Sequence, residues 1–115
     1  MKPRIKLMPD YCAYPLWGID PDNIGNINPY DLPLTPETIK SLESYAAEYN
    51  AGLNWDDPGN TPDPTLAEIN AFEAAGITLW ERLDQELSKD YEVFYFSQKL
   101  GKLVKNPREI MIIVK

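Results

Sequence analysis

The stretch YEVFYFSQ, residues 91–98, decides the fold. Its aromatic and β-branched content suits a half-buried pleated surface, so it reads as a strand. The sequence before it has a different period. Ile69, Phe72, Gly76, Leu79, Leu83 and Leu87 step by 3, 4, 3, 4 and 4, which is one face of a helix. Thr65 and Glu68 are spaced to cap that helix reciprocally at its start. Gly76 lies on the stripe itself, where it costs helix propensity and predicts the close approach of another backbone. Glu73, Glu81 and Asp84 are expected on the opposite, solvated face. Beyond residue 98, Leu100-Gly101 makes a turn, residues 102–105 a short return strand and Asn106-Pro107 a second turn. EIMIIVK, residues 109–115, then closes the chain as a nearly continuous apolar strand, the pattern of burial on both faces.

A second helix is legible further upstream in TPETIKSLESYAAEYN, residues 35–50. Thr35 suits the N-cap, Pro36 the first helical position, and Glu37 the positive end of the dipole. Ile39, Leu42, Tyr45, Ala46 and Tyr49 form its apolar stripe, and Gly52 is the expected stop. RIKLM, residues 4–8, alternates as a short strand that should join the same sheet. Residues 9–34 read as loop throughout, with D-P, G-N and N-P pairs and repeated proline. That loop is rich in large apolar residues, so it must lie against the body, on one face of the sheet or one end of the helices. The chain is therefore expected to be α+β: two helices packed on a small, mostly antiparallel sheet, with a long Pro-rich N-terminal loop region. Its 115 residues fit a single domain, 1–115.

Charge is distributed unevenly. Lys2, Arg4 and Lys6 give residues 1–8 a net charge of +3, and five bases against Glu109 give residues 99–115 a net +4. The 17 acids of residues 9–98 face only Lys40, Arg82 and Lys89, a net −14. Such a body disfavours nucleic-acid phosphate, which demands clustered Lys and Arg. It would attract a basic protein surface and speed encounter with it, although acidity also serves plain solubility. No apolar run approaches the ~20 residues that span a bilayer, and MKPRIKLMPD has no apolar segment of the secretory kind. Cys12 is the only cysteine, which suits a reducing cytosol.

Between the helices lies GLNWDDPGNTPDP, residues 52–64. Asp56, Asp57, Asn60 and Asp63 invite comparison with a calcium loop, but the third position from Asp56 is Pro58 and the register fails. Turn chemistry and a capping role for Asp63 account for these residues, and neither metal nor cofactor is expected. With no histidine in the chain, the Ser–His and Cys–His pairings are unavailable. Cys12, between tyrosines, reads as a small buried hydrophobe. Paired carboxylates could serve glycoside chemistry, but any acidic protein offers two. The six glycines are too scattered to cradle a phosphate. Enzymatic activity is not expected. Trp55 either plugs the gap between helix ends or anchors an interface. Asp56 and Asp57, with Trp55 and more weakly Asp20 and Asp22, form the expected partner-binding surface, facing a partner with a basic surface.

PDYCAYPLWG (residues 9–18), Gly25-Asn26, LPLTPETI (32–39) and LNWDDP (53–58) occur in that order, followed by a long acidic helix and EVFYF. In this the chain resembles a family of small acidic bacterial polypeptides associated with immunity proteins, encoded beside polymorphic or contact-dependent toxins. The resemblance spans residues 5 to about 98, and EIMIIVK lies beyond it. It implies a binding protein without chemistry; the leading reading is a cytoplasmic immunity protein that occludes a toxin active site, the expected targets being nucleases with basic clefts. It carries over no site residues position by position. An unrelated cytosolic adaptor or regulatory subunit is the alternative.

Overall fold

The computed structural model describes residues 2–52, 57, 59 and 63–105. A five-stranded sheet carries two helices on one face. Its strands are β1 (Arg4–Leu7), β2 (Leu16–Gly18), β3 (Gly25–Asn26), β4 (Glu92–Ser97) and β5 (Lys102–Val104), in the order β3-β2-β1-β4-β5. The helices are α1 (Pro36–Ala51) and α2 (Leu66–Leu87). Three of the four strand pairings are antiparallel; β1 and β4 run parallel, with Ile5 beside Val93 and Leu7 beside Tyr95. RIKLM thus takes the middle of the sheet, and both helices lie in the crossover between its two central strands.

Both helix starts follow from side-chain chemistry. The Thr35 side chain accepts the Thr38 N–H, with Pro36 in the first turn. Thr65 and Glu68 form the reciprocal capping box, satisfying donors that a helix N-terminus leaves orphaned. The helices pack antiparallel, Tyr45 stacking on Phe72 with ring centroids 4.5 Å apart. Beneath them the alternation of the strands turns Ile5, Leu7, Leu16, Tyr95 and Val104 inward, all at 0% exposure, against Leu42, Leu83 and Leu87.

Residues 9–34 are more ordered than their loop composition suggests. They contain β2, β3 and a 3-10 turn at Pro29–Asp31. The chain folds back at 19–24 so tightly that a Cβ on Gly18 would collide with the Asn23 carbonyl. Asn26 then completes the sheet edge with its side chain: its Oδ1 accepts from Tyr14 N (3.0 Å), and its Nδ2 donates to Tyr14 O (2.7 Å) and Leu16 O (3.0 Å). A side-chain amide standing in for a strand leaves no periodicity to read. Leu16 and Leu32 are buried and Ile27 and Leu34 pack on the core, so part of the apolar content of this region lies against the body, whereas Tyr11, Tyr14, Ile24 and Tyr30 are exposed.

Three expectations need correction. Cys12 is exposed rather than buried. It occupies a left-handed turn (φ 57°) whose N–H donates to Asn50 Oδ1, which turns the side chain outward. Gly76 makes room for a side chain, not a backbone: a Cβ there would lie 2.5 Å from the Tyr95 hydroxyl oxygen. Glu73 is buried at 6% exposure, not solvated. EIMIIVK, Trp55 and Asp56 lie outside the described residues.

Candidate partner-binding surface

Exposed carboxylates line the helical layer and are as numerous off it, where Asp10, Asp22, Asp31, Asp57, Asp63 and Asp90 are exposed. Glu37, Glu43 and Glu48 of α1 and Glu68, Glu81 and Asp84 of α2 are exposed, against Lys40 and the half-buried Arg82. Between the helices runs an open groove of about 740 Å3, rimmed by Glu37, Lys40 and Glu48 on one side and floored by Ala74 and Thr78 on the other. Small residues on the outer surface of α2 leave this trough, and the flanking glutamates set its sign.

The aspartates singled out in the sequence fall at two separate places. Asp57 is exposed in the connection between the helices. That connection lies at the Glu48 end of the groove, because Tyr49, near the end of α1, packs 5.9 Å from Phe72, near the start of α2. Asp20 and Asp22 belong to the β2–β3 turn. Asp20 receives the Arg4 backbone N–H and the Arg4 Nε, both at 2.7 Å. The hydrogen bond from the Arg4 backbone, then that from its guanidinium, holds the Asp20 carboxyl below the usual carboxylate range. Lys2, two residues before Arg4, donates to Ser88 O at the far end of α2. A helix of 22 residues spans ~33 Å, so Asp20 and Asp22 sit nearly the length of α2 away from Asp57. The structure does not bring the two groups together. Asp22 is exposed and Asp20 is already committed to Arg4.

Two further carboxyl groups act inside the fold. Glu86 receives the Thr35 N–H (2.8 Å) and the Thr38 hydroxyl, and its ion pair with Arg82 is 3.8 Å long. Burial opposes its ionisation, but these hydrogen bonds and Arg82 outweigh burial, and the carboxyl sits below its ordinary value. Glu73 accepts hydrogen bonds from the Tyr95 and Ser97 hydroxyls. Burial pushes the Tyr95 and Tyr45 hydroxyls far up, so both stay protonated, Tyr95 as the donor Glu73 needs. One signal could have exposed this network: β4 turns Tyr95 and Ser97 to the same side, and a buried hydroxyl pair requires an acceptor. Among the described residues no group of three or more potential metal ligands occurs, and no helix is long and apolar enough to cross a membrane.

Fold and surface define a two-layer α+β protein with an acidic surface that includes its helical side. Residues 3–98 match the family model described as Serratia CdiI immunity protein-like, and the chain belongs to that family. No curated protein matches it closely enough for comparison.

Proposed function

We propose that this chain binds the toxin domain encoded with it and neutralises that toxin by occluding its active site. The observation that carries the reading is the family match over residues 3–98. The net −14 of residues 9–98 gives it a physical form. A nuclease-type toxin presents a basic cleft, and an acidic inhibitor is steered toward it and complementary to it. Such a protein works as a non-catalytic cytoplasmic inhibitor, with no cofactor, nucleic acid or membrane in the interaction.

The partner surface we favour runs along the acidic helical layer to the connection that bears Asp57, with Trp55 and Asp56 beside it in sequence. Asp22 and Asp20 are secondary candidates at the other end. Replacing Asp56 and Asp57 together with Asn keeps volume and removes two charges. At an interface rim this slows association and flattens its salt dependence, whereas breaking a buried pair costs roughly 2–5 kcal/mol. Association kinetics with the neighbouring toxin domain at low and high salt read the difference. An unchanged rate at both would remove this connection from the interface.

A further inference from the structure

Two exposed tyrosines, Tyr14 at 45% and Tyr30 at 66%, line a second hollow of about 230 Å3. Glu43, Ala46, Ala47 and Asn50 of α1 also line it, and their spacing of three or four residues puts them on one flank of the helix. Glu37, Lys40 and Glu48 line the groove toward α2 on the other flank. Short alanine side chains leave the space, and the buried Pro15, Pro29 and Leu42 close it from below. Every lining residue belongs to the described part of the chain. The hollow lies beside β3, at the sheet edge opposite β5.

Both tyrosines stand on fixed backbone. The Asn26 amide bonds the N–H and the carbonyl of Tyr14, and Asn28 Oδ1 accepts the Tyr30 N–H at 3.0 Å. The Tyr30 hydroxyl donates to Glu43 Oε1 over a long 3.4 Å. Glu43 has no ion pair among the described residues, and no Lys or Arg lines the hollow. Asp31, next to Tyr30, is exposed and adds negative charge. Two aromatic rings, one uncompensated carboxylate and no base are complementary to a planar cation. A guanidinium stacks on a tyrosine ring and forks two N–H groups onto a carboxylate, a geometry that an ammonium cannot match. A site held in place by its own backbone loses little freedom on binding. We infer that this pocket receives an arginine side chain projecting from a protein partner, with Tyr14 and Tyr30 as walls and Glu43 as the counter-charge. The source of that arginine rests on the reading that the chain meets a basic toxin surface.

The pocket can be tested without a toxin. Acetyl-arginine-methylamide, titrated into the isotope-labelled full chain, should shift the backbone amide signals of Tyr14, Tyr30 and Glu43 along one saturating curve. A dissociation constant on the order of 1 mM is expected of a ligand this small. The lysine counterpart should bind clearly more weakly. Tyr30→Ala and Glu43→Gln should keep the circular dichroism spectrum and each weaken binding about two- to fivefold, the range of an exposed cation–π contact or ion pair. Asp90→Asn, in the turn after α2, should leave it unchanged. No saturable shift well above that concentration, equal binding of the lysine compound, or binding that persists in the double variant Tyr30→Ala/Glu43→Gln would overturn the inference. A second arm uses a candidate cognate toxin domain, whose dissociation constant the double variant should raise at least about tenfold. A complex indifferent to both substitutions would overturn the inference and leave the proposed function standing. No complex with the wild-type chain would overturn that function, and with it the toxin as the source of the arginine.

Discussion

Replacing Gly76 by alanine tests the packing of α2 on β4. On helix propensity alone the change should stabilise by up to ~1 kcal/mol. The structure predicts the opposite sign. The new Cβ would sit 2.5 Å from the Tyr95 hydroxyl oxygen, 2.8 Å from Cε1 and 2.9 Å from Cζ. Tyr95 cannot swing aside, because its ring stacks on Trp80 at a centroid distance of 5.4 Å and its hydroxyl donates to Glu73. Trp80 is held in turn by its indole N–H, 2.9 Å from the Val93 carbonyl. Overpacking of this kind costs about 1–3 kcal/mol, and a displaced Tyr95 hydroxyl forfeits roughly another 0.5–1.5 kcal/mol of hydrogen bonding. Set against the propensity gain, the net loss is about 1–3 kcal/mol. Urea unfolding monitored by tryptophan fluorescence measures it as a lower midpoint with little change in slope. A variant as stable as the parent, or more stable, would refute the close approach of Tyr95 to α2.

Glu73→Ala should cost about 2–5 kcal/mol in the same assay, because it opens a cavity and strands two buried hydroxyls. Glu73→Gln, which keeps an acceptor and the volume, should cost clearly less, and equal losses would dismiss the network. Glu86→Gln should lower stability near pH 7 by roughly 0.5–1.5 kcal/mol. A carboxyl whose folded pKa is depressed stabilises above its unfolded value of about 4.3 and loses that contribution as pH falls through the lower folded value. The gap between Glu86→Gln and the parent should therefore be constant above about pH 5 and close below about pH 4. A gap independent of pH would show that Glu86 acts by shape alone.

How much of this was legible in the sequence varies with the kind of interaction. Caps are local: Thr35 with Thr38, and Thr65 with Glu68, lie three residues apart and could be read directly. Strands β1 and β4 announced themselves by alternation and aromatic content. The pair β2–β3 did not, because its pairing depends on the Gly18 fold-back and on the Asn26 amide, neither of which leaves a period. Glu73 was misplaced for a related reason. Its burial depends on Tyr95 and Ser97, more than twenty residues away, and a charged residue beside an apolar stripe ordinarily faces water. The partner surface was legible only as charge. Sequence put Asp20, Asp22 and Asp57 on one acidic body, whereas the length of α2 separates them and Arg4 has already engaged Asp20.

Neutralisation of the toxin is the central claim, and co-expression tests it most directly. A candidate cognate toxin domain would be induced in a susceptible bacterium with and without the chain, and the affinity of the purified pair measured by titration calorimetry. Restored growth and a one-to-one complex are expected, with an association that weakens as added salt screens the complementary charges. Growth arrest that persists with the chain present, together with no heat of binding at low salt, would contradict it.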